Sequence, residues 1–211
     1  MLRILIADDH TVVRKGLRQI LLEEFPSAEI VETPDAASLF LKVLREEWDV
    51  VITDISMPDK SGLEALQQIR RDYPRLPVLV LSAHSEDQYA IRSLKAGASG
   101  YLCKDSASEE LVGAVRRILM GKRYITASLA EKLASQLDQD ADRLPHENLS
   151  DREFEVMRFL AAGKAVSEIA GQLCLSVTTI STYRARILTK MDLKTNYDLT
   201  RYAMENKLLE Q

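Results

Sequence analysis

At 211 residues, 46% of them apolar, the chain has material for one or two real cores, which excludes a disordered tract. A net charge of −4 excludes a protein that coats nucleic acid indiscriminately, while leaving room for a local basic face. Cys103 and Cys174 lie far apart without metal-ligand spacing and are expected as reduced core residues. The apolar opening meets Asp8 and Asp9 too soon for a signal peptide or a membrane span, so a soluble, cytoplasmic protein is expected.

Up to about Gly121, five strand-like runs alternate with five helix-like runs. The predicted strands are Leu2–Ala7, Ala28–Val31, Asp49–Thr53, Pro77–Leu81 and Gly100–Cys103. The third is apolar without polar alternation, as in a strand covered on both faces of a parallel sheet. Thr33-Pro34 predicts a helix cap with proline at the first helical position. Ser61 with Glu64, and Ser106 with Glu109, fit capping boxes. Pro26, Pro74, Gly97 and Gly121 follow the helical stretches and stop them. Strands separated by helices imply an α/β domain with a parallel sheet between two helical layers.

In such sheets ligands bind beyond the carboxyl ends of the strands. Asp8 and Asp9 follow the first strand, Asp54 the third, Ser82 the fourth and Lys104 the fifth. In the flavodoxin-like order 2-1-3-4-5, all five residues meet in one crevice. Three carboxylates there repel unless a cation neutralises them, and oxygen ligands with room for water suit Mg²⁺. The cation would also neutralise an incoming phosphoryl group, leaving Asp54 as nucleophile. Lys104 would bring a positive charge to a phosphate oxygen, and Ser82 a hydroxyl. Taken singly, each has a plainer reading: a helix cap for the acids, a solvated side chain for the lysine.

Residues 1–121 resemble a response-regulator receiver domain. The likeness is carried by Ile6-Ala7-Asp8-Asp9-His10, by Asp54-Ile55-Ser56-Met57-Pro58 with Gly62, by Ser82-Ala83, and by Tyr101-Leu102-Cys103-Lys104. The resemblance implies phosphorylation of Asp54 by a sensor histidine kinase. It implies Mg²⁺ held by Asp9 and Asp54 directly, by Asp8 through water, and by the main-chain carbonyl of Ser56. It also implies a switch pair, Ser82 and Tyr101, with Tyr101 turning inward once Asp54 is phosphorylated. Tyr101 reads equally well as a core aromatic. Without a Walker-type or glycine-rich phosphate loop, the phosphoryl group is expected from a partner or a small phosphodonor, not from ATP. His10, His84 and His146 are assigned no catalytic role, and Trp48 is read as packing.

From Lys122 the strand pattern ends. Thr126–Gln139 carries Leu129, Leu133 and Leu137 at helical spacing, and the polar run ending in Leu144-Pro145 reads as a hinge. The remaining chain is helical. Ser150 with Glu153 predicts a capping box, and Phe154, Met157 and Leu160 give that helix an apolar face. A short helix over Ser167–Leu173 and a longer one from Val177 to Met191, capped by Ser176, follow, and Asp198–Asn206 closes the bundle. On the longer helix Ile180, Ile187, Leu188 and Met191 fall on one side. Thr178, Ser181, Thr182, Ala185, Arg186 and Lys190 fall largely on the other.

A short helix, a tight turn and a longer helix with a small, polar, basic outer face reads as a helix-turn-helix. Residues 147–211 are balanced in charge, but 176–194 hold four cations against one acid, a local +3. A solvated face of an ordinary bundle has the same pattern. Residues 149–209 resemble a LuxR-type DNA-binding domain of the NarL/FixJ group. The matches are Leu149-Ser150-Asp151-Arg152-Glu153, Leu160-Ala161-Ala162-Gly163, Glu168-Ile169-Ala170, Leu175-Ser176, Thr179-Ile180, Ile187 and Lys190-Met191. The resemblance places Ser181, Thr182 and Ala185 toward bases, and Arg184, Arg186 and Lys190 toward phosphates. Ser181 stands where many members carry lysine, and Ala165-Val166 replaces the usual Ser-Asn.

The expected protein joins a receiver (1–121), a linker helix and hinge (122–146) and an all-α four-helix domain that binds double-stranded DNA (147–211). Phosphorylation is expected to drive homodimerisation. The rival from another class is a Mg²⁺-dependent phosphatase or phosphotransferase with an aspartyl nucleophile. The sequence shows neither the second acid nor the cap such an enzyme needs.

Overall fold

The computed structural model describes residues 1–57, 62–83, 86–137 and 144–209. The chain divides into two compact units, Met1–Ala134 and Ser135–Gln211.

In the first unit five parallel strands form a sheet of order β2-β1-β3-β4-β5: β1 (Arg3–Ala7), β2 (Glu29–Thr33), β3 (Val50–Asp54), β4 (Val78–Ser82) and β5 (Gly100–Cys103). β3 and β4 are buried along their whole length, as continuous apolar runs require of central strands. The helices are α1 (Thr11–Glu24), α2 (Ala36–Arg45), α3 (Gly62–Asp72), α4 (Glu86–Lys95) and α5 (Ala107–Leu119). α1 and α5 pack side by side, and Leu17, Leu21, Leu111 and Val115 join Ile4, Ile6 and Ile52 in one core.

Several local expectations are corrected. β2 runs two residues further than Val31 and takes in Thr33, whose hydroxyl donates to the Ile6 carbonyl instead of capping a helix. The cap of α2 is Asp35, whose carboxylate accepts from the Ser38 amide at 2.7 Å. Ser106 makes no side-chain cap. A 3₁₀ turn over Lys104–Ser106 already bonds the amide of Ala107, and the Ser106 hydroxyl turns back to the Cys103 carbonyl. Ser61 lies outside the described residues, as do His84 and 138–143 of the expected hinge. The first unit also runs past Gly121: Tyr124 bridges Gly100 on β5, and its amide donates to the Ser99 carbonyl at 2.8 Å. Leu129 of α6 (Ala127–Leu137) is fully buried.

The second unit holds α7 (Asp151–Ala161), α8 (Val166–Gln172), α9 (Val177–Lys190) and α10 (Asn196–Glu205). The capping box of α7 forms: the Ser150 hydroxyl accepts from the Glu153 amide, and the Glu153 carboxylate accepts from the Ser150 amide at 2.8 Å. His146, read from the sequence as part of the hinge, packs on this unit. It sits in a 3₁₀ turn over Pro145–Asn148, with Nδ1 2.8 Å from the Tyr202 hydroxyl and its ring near Phe154. Neither cysteine is core: Cys103 is half-buried, and Cys174 is exposed in the turn between α8 and α9 with φ +53°.

Candidate functional site

Three loops at the carboxyl edge of the sheet deliver charge to one place. Asp8 follows β1 and is buried, its amide donating to the Thr33 carbonyl at 3.2 Å. Asp54 ends β3 and is equally buried. Lys104 follows β5 in a trans chain. Its Nζ donates to Asp54 Oδ2 at 2.7 Å and lies 2.7 Å from Asp8 Oδ2 as an ion pair. One ammonium therefore bridges carboxylates from two neighbouring strands. The Ser56 amide donates to Asp54 Oδ1 at 3.2 Å, which orients the carboxylate from its other side.

Gly62 lets α3 start directly on the phosphoacceptor candidate. Its amide donates to the Ile55 carbonyl at 2.8 Å, and a Cβ there would overlap the Asp54 carbonyl oxygen. Only the missing side chain permits this approach.

Ligand atoms of Asp8, Asp9, His10 and Asp54 lie within 4.8 Å of one another. His10, assigned no catalytic role from the sequence, offers a ring nitrogen to this group. Its Nδ1 stands 2.7 Å from Asp9 Oδ1 and 3.3 Å from Asp8 Oδ1, and adjacency to the acidic pair was the available signal. Arg14 was also missed: it donates to the Asp8 carbonyl at 2.5 Å, one helical turn from the acids. Asp8 Oδ2 and Asp9 Oδ1 are buried oxygens that, among the described residues, face only the Lys104 ammonium and the His10 ring. Three carboxylates converging on one point, with lone pairs to spare beyond these contacts, fit a hard divalent cation.

Burial pushes the Asp54 carboxyl above its ordinary value. The charge and hydrogen bond of Lys104 pull it down without cancelling that rise, and the Asp8 charge adds to it. For Lys104, burial pulls the ammonium down, but the facing charges of Asp54 and Asp8 prevail and hold it above its ordinary value. A buried, perturbed carboxylate beside a lysine in a cleft is the arrangement expected of a reactive site.

The register places Ser82 one residue beyond Leu81, the partner of Asp54, and opposite Cys103, the neighbour of Lys104. Ser82 and Tyr101 are both fully buried. The inward turn expected of Tyr101 is thus no movement from an exposed position: the ring already lies inside.

In the second unit the Ser176 hydroxyl caps α9, accepting from the Thr179 amide at 3.0 Å. Ile180 and Ile187 are fully buried, while Thr178, Ser181, Thr182, Ala185 and Arg186 are exposed. The hydroxyls of Ser181 and Thr182 turn back to the carbonyls of Val177 and Thr178. Two cations expected on this face are engaged within the domain. Arg184 donates to Asn196 Oδ1 at 2.7 Å, and Lys190 to Glu153 Oε2 at 2.6 Å. Ala165 offers no side-chain cap to α8, but Glu168 accepts from its amide at 2.7 Å, half of a capping box.

Residues 4–116 match the response regulator receiver domain, and residues 147–203 match the bacterial regulatory proteins of the luxR family. Fold and site therefore define the class: a receiver joined to a LuxR-type domain. The response regulator UvrY of Escherichia coli is 35% identical over 210 residues, spanning 99% of this chain and 96% of that protein. The oxygen regulatory protein NreC of Staphylococcus carnosus is 36% identical over 217 residues, spanning 99% of this chain and 100% of that protein. RcsB of Salmonella enterica serovar Typhimurium, bound to promoter rprA in the presence of the phosphomimetic BeF3-, is 30% identical with a TM-score of 0.63, covering 96% of this chain and 98% of that one. The chain belongs to the NarL/FixJ family of response regulators, a family of DNA-binding transcriptional regulators.

Proposed function

We propose that this chain is a cytoplasmic transcriptional regulator without an enzymatic substrate of its own, switched by transfer of a phosphoryl group to Asp54 from a sensor histidine kinase. The convergence of Asp8, Asp54 and Lys104 within 2.7 Å contacts supports this reading most directly. As the N–P bond of the donor phosphohistidine breaks, a bond forms from an Asp54 carboxylate oxygen to phosphorus. Lys104 then transfers its contact to a phosphoryl oxygen, and the Ser82 hydroxyl donates to another. Asp9, Asp54 and the main-chain carbonyl of Ser56 would hold Mg²⁺ directly and Asp8 through water, and the cation would neutralise the phosphoryl oxygens. Ser82 and the buried Tyr101 sit on adjacent strands and form the switch that relays occupancy to the surface around α4 and β5.

The reading assigns residues 1–121 to the receiver proper, 122–146 to the connecting segment, whose Tyr124 end packs on the receiver and whose His146 end packs on the helical unit, and 147–211 to the DNA-binding domain. Phosphorylation favours a homodimer whose two α9 helices enter successive major-groove segments of double-stranded DNA. Ser181, Thr182 and Ala185 face bases, Thr178 lies on the same DNA-binding face, and Arg186 contacts phosphate. Arg184 and Lys190, held by Asn196 and Glu153, contact phosphate only by releasing or sharing those partners. A mobility-shift titration tests the switch. DNA affinity rises with a small phosphodonor and Mg²⁺ in the wild type and not in Asp54→Asn, which also fails to gain the mass of a phosphoryl group. Equal affinity in all four conditions removes the switch.

A further inference from the structure

The end of the sheet opposite Asp54 carries a charged cavity that phosphoryl transfer does not use. It lies at the amino ends of β3, β4 and β5 and has a volume of about 390 Å³. Arg70, Arg75, Lys122 and Arg123 line it, with Asp49 as the acid among them. Asp49 is already engaged, its Oδ2 accepting from the Arg3 amide at 2.8 Å. Among the described residues no carboxylate pairs with the side chains of Arg75, Lys122 or Arg123; the nearby Asp72 is taken by Arg71. Four cations against one carboxylate leave a net positive field focused into a concave site.

The rim is held in place. The Arg70 stem packs on Gly97, whose φ of +102° carries the chain beneath it, and its guanidinium reaches the Leu76 carbonyl at 3.4 Å. Gly121, with φ +74°, turns the chain back after α5, and the bridge from Tyr124 to β5 anchors Lys122 and Arg123 over the cavity. Ile118, Leu119 and Pro77 supply an apolar wall.

We propose that this cavity binds a small anion bearing two or more phosphate groups, inorganic or carried on a nucleotide. Guanidinium forks match phosphate oxygens in pairs, and several phosphates are needed to balance the cations assembled here. The apolar wall gives a sugar or base a surface to cover. The bound anion draws Lys122 and Arg123, the residues leading from α5 toward α6, onto the amino edge of the sheet.

Calorimetric titration of the full chain with tripolyphosphate and, separately, with ADP tests this. One-to-one saturation is expected, weakening severalfold between about 50 and about 200 mM salt. The triple variant Arg75→Ala/Lys122→Ala/Arg123→Ala, at exposed positions, loses at least about tenfold in affinity, equal to about 1.4 kcal/mol. Asp54→Asn and Arg186→Ala bind as the wild type does, which separates this cavity from the phosphoacceptor site and from α9. In the unaltered protein the amide resonances of Ser99 and Gly121–Arg123 shift on binding. Tighter binding of ADP supports a nucleotide, and tighter binding of tripolyphosphate an inorganic anion. No saturation up to about 5 mM of either probe, undiminished affinity in the triple variant, or loss in Arg186→Ala overturns the proposal.

Discussion

Gly62→Ala places one methyl group where β3 hands over to α3. Built on the observed backbone, the new carbon overlaps the Asp54 carbonyl oxygen and stands 2.7 Å from its carbonyl carbon and 3.0 Å from Ile55 Cα. Ordinary contact begins at 3.4 Å, so relieving the carbonyl carbon alone requires a shift of about 0.7 Å, and the oxygen requires more. Every obstructing atom is backbone, so no rotamer relieves the clash. The Gly62 bond to the Ile55 carbonyl and the position of Asp54 have to give way. Overpacking of this kind costs about 3 kcal/mol or more. For a unit of this size about 1 kcal/mol moves the melting temperature by about 3–5 °C, so the amino-terminal transition falls by about 10 °C or more. Gly113→Ala is the control. It lies in the middle of α5 with nothing within 4 Å of its added carbon, and alanine there stabilises by about 0.5–1 kcal/mol. Calorimetric melting of both variants, with phosphorylation by a small donor, reads the difference. A Gly62→Ala protein that melts and accepts phosphate like the wild type, or equal losses in both variants, refutes the reasoning.

Asp54→Asn stabilises the amino-terminal unit at pH 7. The folded carboxyl lies above its unfolded value, so its ionisation costs stability as pH rises from the ordinary carboxylate range through the folded value; the gain from asparagine is present above that value and vanishes below the ordinary carboxylate range. A melting temperature below wild type at pH 7 contradicts this. Glu153→Ala destabilises the second unit by about 2 kcal/mol because the Ser150 amide loses its acceptor, whereas Glu153→Gln keeps an acceptor and costs under about 1 kcal/mol. Lys190 and the Ser150 bonds hold the buried Glu153 carboxyl below its usual range, so that pair's contribution is lost only as pH falls through the lowered value; chemical denaturation at stepped pH measures both. Mg²⁺ at about ten times its dissociation constant raises wild-type stability by about 1.4 kcal/mol and leaves Asp8→Asn nearly unmoved, as thermal shift reports. Arg186→Ala lowers DNA affinity across sequences and reduces the salt slope by about one, while Thr182→Ala changes base preference, both read by titration against a randomised pool.

The alternation of apolar runs and helical stretches carried the parallel sheet and the strand-end positions of Asp8, Asp54, Ser82 and Lys104, because strand ends and helix breaks are written in local chemistry; the strand order was supposed from the common five-stranded doubly wound arrangement, and the sheet has it. The four-helix bundle and the cap at Ser176 were legible for the same reason. Packing decided the rest. Asp35 displaced Thr33 as a cap because sheet pairing claimed two more residues of β2. Arg14 reached the Asp8 carbonyl only once α1 was set against the sheet edge, and Asn196 and Glu153 took Arg184 and Lys190 from separate helices. Periodicity and caps depend on neighbours within a turn or two, so the order of residues settles them. Which distant side chain meets a given charge depends on how elements pack, and that is decided only when the chain closes on itself.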